Sequence, residues 1–114
     1  MEETIKFLKI LSDPTRLRII SLLSQRELCV CELCKITSES QPKISRHLAK
    51  LKDATFVVDR RVGQWVFYSL NIKNQTQLNI LSVMIKTLKN QMPIKKDFAV
   101  LNEFIKLNKF CIKK

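Results

Sequence analysis

The chain has 114 residues, which is the length of one domain. Its composition, 46% hydrophobic and 27% charged, is that of a globular protein and excludes a disordered chain. A single glycine excludes a glycine-rich phosphate-binding loop, and the short apolar runs predict neither a transmembrane helix nor a secretory signal. We therefore expect a cytoplasmic protein with no membrane partner.

The charge is strongly basic, because 21 lysines and arginines stand against 10 acidic residues, for a net charge of +11. Such an excess is typical of nucleic-acid-binding domains, although a solvated surface or binding to an anionic membrane gives the same composition. Residues 86–114 hold eight lysines and two acidic residues, which is more than half of the excess. The total therefore overstates the charge of any DNA-binding core.

Two helices are predicted at the start of the chain. Apolar residues at helical spacing predict the first over residues 3–11. Asp13 fits the N-cap of the second helix and Pro14 its first position, and an apolar stripe continues this helix to about Ser24. A break follows at residues 25–29.

Residues 41–52 carry the strongest DNA-binding pattern. Ser40 fits the N-cap, and apolar residues at i, i+4 and i+7 place one stripe of this helix against a core. A short segment at 30–36 and a polar turn precede it, as in a helix–turn–helix whose second helix enters the major groove. The other faces are basic and rich in hydrogen-bond donors, and the residues expected to contact DNA are Gln41, Lys43, Ser45, Arg46, His47 and Lys50.

A β-hairpin is predicted directly after this helix. Residues 56–68 are rich in β-branched and aromatic side chains, with a turn at 61–64 that contains Gly63, where a positive φ is wanted. A hairpin in this place is the wing of a winged helix. Arg60 and Arg61 lie near its tip and are expected to reach DNA phosphates or the minor groove, the alternative being a solvated surface.

The remaining chain predicts two further helices. Residues 76–92 carry an apolar stripe too wide for a small domain to bury, so we expect a homodimer, although packing on the monomer core is the alternative. Pro93 ends this helix, and residues 97–110 fit one more basic amphipathic helix. We therefore divide the chain into a DNA-binding and dimerisation domain at 1–92 and a basic tail at 93–114.

Three of the four cysteines form the pattern C-x-C-x-x-C at Cys29, Cys31 and Cys34. Cys31 and Cys34 share one helical face, whereas Cys29 and Cys31 are about 200° apart on a regular helix. Cys29 must therefore lie outside the helix, or the first helical turn must distort. A ligand that enforces this distortion would reshape the first helix of the helix–turn–helix and couple thiol chemistry to DNA affinity.

Thiolates select soft metal ions. Structural zinc prefers four ligands, and a second cysteine pair is missing, while the only histidine, His47, lies on the predicted DNA face. A three-coordinate thiophilic ion such as trivalent arsenic or antimony fits three sulfurs better. Cys111 is distant in the sequence, so its role stays open, as does that of the basic tail.

The sequence resembles the ArsR/SmtB family of dimeric metal-responsive repressors, and in particular its arsenical-resistance operon repressors. The resemblance covers about residues 5–90 and is carried by LSDPTRLRIISLL, ELCVCELC, SQPKISRHLAKL and DRRVGQWVFYSL. It implies a winged helix, mainly α with a small β-hairpin, that dimerises through its first and last core helices. It also implies repression of the protein's own operon without inducer and release of DNA when the inducer binds.

The resemblance implies roles for particular residues. Cys29, Cys31 and Cys34 match the arsenite or antimonite ligands. Zinc-sensing relatives use histidines and carboxylates on the last core helix, which residues 76–90 lack, and relatives that sense cadmium or lead add an N-terminal cysteine, which residues 1–28 lack. On the DNA side, the family's groove-contacting positions fall on Gln41, Ser45 and Arg46, and Lys43 and His47 flank them.

We expect a transcriptional repressor rather than an enzyme, with double-stranded operator DNA and a second copy of the chain as partners. It needs no constitutive cofactor, and its inducer is As(III) or Sb(III). The alternative is a winged-helix repressor whose cysteines sense thiol redox state or another soft metal such as cadmium or lead. A dithiol oxidoreductase built on Cys31 and Cys34 needs a thioredoxin-like βαβ context, which this sequence does not predict. Cysteine–histidine catalysis needs His47 as the base, but His47 lies on the basic helix, where we expect it to face DNA.

Overall fold

A computed structural model describes residues 1–111, which form six α-helices and one three-stranded antiparallel sheet. This confirms the predicted fold class, mainly α with a small β-structure. Among these helices, none combines the length and the apolar character needed to cross a bilayer. The elements in chain order are α1 (Glu2–Leu11), α2 (Pro14–Leu23), β1 (Leu28–Cys29), α3 (Val30–Thr37), α4 (Gln41–Asp53), β2 (Val57–Val62), β3 (Trp65–Leu70), α5 (Gln75–Leu88) and α6 (Ile94–Leu107).

The second helix, α2, lies at the centre of the fold. Asp13 caps it, since its side chain accepts a hydrogen bond of 2.9 Å from the backbone N–H of Arg16, and Pro14 occupies its first position. Ile19 and Ile20 are fully buried, and α1, α3, α4 and α6 all pack against this helix. The predicted cap and start of α2 are confirmed.

The helices α3 and α4 form the predicted helix–turn–helix. The chain leaves α3 through Ser38 in the left-handed conformation, and the hydroxyl of Ser40 accepts from the backbone N–H of Lys43 to cap α4. Ile44, Leu48 and Leu51 are fully buried, as their spacing predicted. The opposite side of α4 therefore faces solvent.

The sheet contains the predicted hairpin and one additional strand. Val62 pairs with Trp65 around a tight turn in which Gly63 has a φ of +59°. The short strand β1 pairs with the other edge of β3, with Cys29 opposite Phe67. Two residues are too few to show an alternating pattern, so the sequence did not predict β1. Its pairing joins the segment before α3 to the wing.

The last two helices differ in how deeply they pack. The helix α5 ends at Leu88, four residues earlier than predicted, because the residues at 89–91 are polar and do not continue the apolar stripe. Only Leu81 of α5 is buried in the described chain. The helix α6 instead places Leu101 and Phe104 in the same core as α2, so the core is continuous across the boundary predicted at residue 92.

One buried ion pair fixes α6 against the helix–turn–helix. The guanidinium of Arg18 donates to both carboxylate oxygens of Asp97 at 2.8 Å, and the Asp97 side chain is only 1% exposed. Arg18 also donates to the backbone carbonyl of Thr37 at 2.7 Å and to Glu39 at 3.3 Å. The hydrogen bonds that Arg18 donates to Asp97 raise the pKa of Arg18. A single side chain therefore connects α2, α6 and the turn before α4.

We expect Asp97→Ala to lower the free energy of unfolding by about 3 kcal/mol, because it leaves a buried guanidinium without its main partner. Glu103→Ala is the matched control, since it removes a carboxylate from the same helix that forms an exposed pair with Lys109. Urea unfolding followed by circular dichroism measures both. Equal effects of the two substitutions would show that the Arg18–Asp97 pair does not hold α6.

Candidate DNA-binding surface and thiol site

The solvent side of α4 offers positive charge and hydrogen-bond donors. Gln41, Arg46 and Lys50 are exposed, and Ser45 is half-buried. Gln41 and Ser45 are four residues apart, as are Arg46 and Lys50, so each pair forms a short column along the helix. The first turn of α4 holds no acidic residue. This arrangement suits a polyanion such as the DNA backbone.

Lys43, another predicted DNA contact, is engaged at the turn before α4. Its ammonium lies 3.0 Å from a carboxylate oxygen of Glu39, which also accepts from Arg18. The hydrogen bond from Lys43 lowers the pKa of Glu39. Because the pair is partly exposed, the lysine is able to exchange Glu39 for a phosphate at little cost.

His47 lies on the inner side of α4, not on the exposed side predicted for it. Only 7% of this residue is exposed, because it falls on the same helical stripe as Ile44 and Leu51. Its Nδ1 atom lies 3.5 Å from a guanidinium nitrogen of Arg16 and 3.8 Å from a carboxylate oxygen of Asp13. Burial lowers the pKa of His47, and Asp13 opposes this only in part. The histidine therefore joins α4 to the start of α2.

The two wing arginines have different surroundings. Arg60 donates two hydrogen bonds to the carboxylate of Glu27, at 2.6 and 2.7 Å, and these bonds raise the pKa of Arg60. Its guanidinium also lies 5.3 Å from the centre of the Phe67 ring. Arg61 is exposed and pairs with Val66, one step from the turn. Arg61 is thus placed nearer the tip, while Arg60 connects the wing to the segment before β1.

Three cysteine sulfurs converge beside the N-terminus of α3. The Sγ atom of Cys31 lies 3.0 Å from that of Cys29 and 2.7 Å from that of Cys111, and Cys29 and Cys111 are 3.6 Å apart. Cys29 is the extended N-cap residue of α3, which confirms that it lies outside the helix. Cys34 is half-buried one turn further along α3, outside this three-sulfur cluster. All four are free thiols.

A buried carboxylate holds the two outer cysteines in place. Glu32 is 2% exposed, and its two oxygens accept hydrogen bonds from the backbone N–H of Cys29 at 2.8 Å and of Cys111 at 2.9 Å. The sequence predicted neither the role of Glu32 nor the position of Cys111. A glutamate three residues after a cap is a capping-box spacing and could have indicated the first contact. No spacing signals a contact across 79 residues.

The surroundings of the cluster disfavour negative charge. Burial raises the pKa of the Cys29 and Cys111 thiols, and their hydrogen bonds with Cys31 and the charge of Glu32 raise these pKa values further. Burial, with a smaller contribution from the charge of Cys31, also raises the pKa of Cys34. The protonated form of the Cys29, Cys34 and Cys111 thiols is therefore favoured over the thiolate. A donor set made only of sulfur suits soft, thiophilic ions.

A capped helix–turn–helix followed directly by a two-stranded wing defines a winged-helix DNA-binding protein. Residues 13–58 match the sequence pattern of the bacterial regulatory proteins of the arsR family. The chain belongs to this family of transcriptional regulators, as the similarities below establish.

Several known proteins share long stretches of sequence with this chain. It is 54% identical over 68 residues to an arsenical resistance operon repressor of Escherichia coli (strain K12), which covers 59% of this chain and 58% of that protein. It is 44% identical over 70 residues to an arsenical resistance operon repressor of Staphylococcus xylosus, covering 61% and 67%. The chain therefore spans less than two thirds of the length of the Escherichia coli relative.

The fold is shared with solved structures. HlyU from Vibrio cholerae N16961 superposes with a TM-score of 0.65 at 31% identity, covering 80% of this chain and 92% of that one. The AntR antimony-specific transcriptional repressor superposes with a TM-score of 0.67, but at 23% identity this likeness concerns the fold alone.

Proposed function

We propose that the protein is a cytoplasmic transcriptional repressor that binds operator DNA and releases it when As(III) or Sb(III) binds its cysteines. The observation that carries this proposal is the convergence of three thiols on the segment that joins the wing to the helix–turn–helix. The names of the similar arsenical resistance repressors support the choice of inducer.

On the DNA side, α4 enters the major groove. Gln41, Ser45 and Arg46 lie on its exposed or half-exposed positions and would read base edges. The remaining basic side chains would contact phosphates, which fix the position of the protein on the duplex without reading sequence. These phosphate contacts are Lys43 and Lys50 on α4 and Arg60 and Arg61 on the wing; His47 would act indirectly by holding α4 against α2.

The charge of the thiol site favours a trivalent ligand. Arsenite is present near neutral pH as the uncharged arsenous acid, and three thiols convert it to an uncharged complex. A divalent ion such as zinc or cadmium bound by three thiolates keeps one net negative charge, next to the Glu32 carboxylate. The same burial that raises the pKa of Cys29 and Cys111 disfavours that charged complex.

The coupling to DNA follows from the position of Cys29. This residue caps α3 and, through β1, pairs with Phe67 of the wing. The helix α3 leads through the turn at 38–40 into α4. A ligand that moves Cys31 relative to Cys29 therefore acts where the wing joins the helix–turn–helix, provided that its affinity differs between the DNA-binding and released conformations.

One observation favours a second candidate, a thiol-redox switch. The sulfurs of Cys31 and Cys111 are only 2.7 Å apart, so a peroxide could oxidise them to a disulfide while it is itself reduced to water. The thiolate is the form that reacts with peroxide, and burial raises the pKa of Cys111. This electrostatic environment makes the redox function the weaker candidate.

We further propose a homodimer. Apolar side chains are exposed on α1, where Ile5 is 44% and Leu8 48% exposed, and on α5, where Val83 is 65% exposed. These helices bury few of their own residues within one chain. A second copy would cover the two faces and place two recognition helices on a two-fold operator.

We expect arsenite to release the protein from DNA that lies upstream of its own gene. Fluorescence anisotropy of the labelled DNA, at fixed salt and with a non-thiol reductant, measures this release. Cys31→Ser should still bind this DNA but no longer release it. Zinc, cadmium and peroxide serve as comparison effectors. Release of the Cys31→Ser variant at the wild-type arsenite concentration would remove the cysteines from the mechanism, and release by peroxide alone would favour the redox switch.

Arg46→Ala is expected to weaken operator binding by about 1–3 kcal/mol and to relax the preference at one base position, if this arginine reads a base. Lys106→Ala is the control, since it removes one positive charge from the exposed side of α6. Competition with mutated operators in the same anisotropy assay separates base reading from phosphate binding. Unchanged affinity and preference would take Arg46 out of the interface.

Val83→Glu should shift the protein from dimer to monomer in sedimentation velocity, because it places a charge on the apolar face proposed for the interface. Leu107→Glu is the matched control on α6, where the replaced side chain is 54% exposed. A dimer that survives Val83→Glu and dissociates with Leu107→Glu would move the interface to α6.

A further inference from the structure

We propose that Cys111, rather than Cys34, supplies the third thiol of the inducer site, together with Cys29 and Cys31. The inference rests on the proposed function, in which these thiols bind As(III) or Sb(III). It assigns the C-terminal segment, for which the sequence predicts no role, to the sensing site.

The first argument is the distance between sulfurs. Two thiolates bound at about 2.3 Å to a tetrahedral zinc ion are about 3.8 Å apart, and the smaller bond angles of a three-coordinate pyramidal ion bring them closer together. The sulfurs of Cys29, Cys31 and Cys111 are already 2.7 to 3.6 Å from one another. A ligand in the centre therefore has to spread them by roughly 1 Å or less. Cys34 is not a member of this three-sulfur cluster.

The second argument is that the backbone of Cys111 is held at the site. Its N–H donates to Glu32, the same carboxylate that accepts from Cys29. The preceding side chain, Phe110, is 7% exposed and packs edge-to-face on Phe104 with ring centroids 5.9 Å apart. The guanidinium of Arg26 lies 3.6 Å from the centre of the Phe110 ring. These contacts hold Cys111 beside Cys29 and Cys31, which lowers the entropic cost of recruiting it to a ligand.

The third argument is the turn that directs the chain back to α3. Asn108 ends α6 in the left-handed conformation, with a φ of +52° that asparagine tolerates better than most residues. The backbone N–H of Lys109 closes this turn on the carbonyl of Phe104 at 3.0 Å. Without the reversal, the chain would continue along the axis of α6 and away from Glu32.

The binding step balances without a redox partner. Three As–O bonds of arsenous acid break and three As–S bonds form, to Cys29, Cys31 and Cys111. Each thiol proton leaves with one hydroxide as water, so arsenic stays trivalent and the complex is uncharged.

The assignment gives α6 a part in sensing. Its C-terminal end would be bonded to the inducer through Cys111, while Asp97 near its N-terminal end binds Arg18, which contacts the turn before α4. Inducer binding would thus act on the helix–turn–helix from α6 as well as from Cys29.

Thiol footprinting of the wild-type chain tests the assignment without a variant. The protein is labelled with iodoacetamide under a non-thiol reductant, with and without arsenite, and the labelled cysteines are quantified by mass spectrometry. We expect arsenite to protect Cys29, Cys31 and Cys111 and to leave the labelling rate of Cys34 unchanged. Protection of Cys34 with continued labelling of Cys111 would overturn the assignment, whereas no protection of any cysteine would overturn the proposed function itself.

Two single variants give a matched comparison. Cys111→Ser should raise the arsenite concentration needed for DNA release by about tenfold or more, as loss of a ligand costs at least as much as loss of its supporting contacts. Cys34→Ser should change that concentration by less than about twofold. Operator affinity without arsenite shows that each variant is folded, and the reverse order of the two effects would place Cys34 in the site.

Discussion

The carboxylate of Glu32 joins parts of the protein that are far apart in sequence. It accepts one hydrogen bond from the backbone N–H of Cys29 and one from that of Cys111. Because the acceptor is a carboxylate, both hydrogen bonds are charge-assisted. The same negative charge lies among the thiols and raises the pKa of both cysteines. The residue that assembles the cluster therefore also makes it a poor site for anionic complexes. This is the physical link between the fold and the proposed preference for an uncharged trivalent complex.

The positive charges of the chain divide into those that form ion pairs within the protein and those that are proposed to face DNA. Arg18 forms an ion pair inside the fold, and Lys52 and Lys109 are paired at the surface with Asp59 and Glu103. The side chains left to face DNA are fewer than the net charge of +11 suggests. Affinity for DNA should therefore depend on where α4 and the wing are held, more than on the overall charge. A ligand that moves these elements then has a large effect without changing any charge on the DNA-facing side.

Local patterns predicted the elements whose causes are local. The caps at Asp13 and Ser40, the buried stripe of α4 and the turn at Gly63 each depend on neighbouring residues, and each was predicted correctly. The prediction that His47 is exposed was wrong. His47 follows Ile44 by three residues on α4, so its side chain falls on the buried stripe of that helix. A polar side chain does not have to be exposed, and the His47 ring is buried against Asp13 and Arg16 at the start of α2.

What the sequence could not predict depends on contacts between distant segments. The strand β1 exists because β3 offers it a free edge, and Cys111 reaches the thiols because α6 packs on α2 and reverses at Asn108. These contacts also indicate which sulfur would move if the proposed ligand entered the cluster. Cys29 is held by Phe67 and Glu32, and Cys111 by Glu32 and the anchored Phe110. Cys31 lies in the first turn of α3, so under the proposed function a ligand that spreads the three sulfurs would shift that turn, and α3 would transmit the shift to α4.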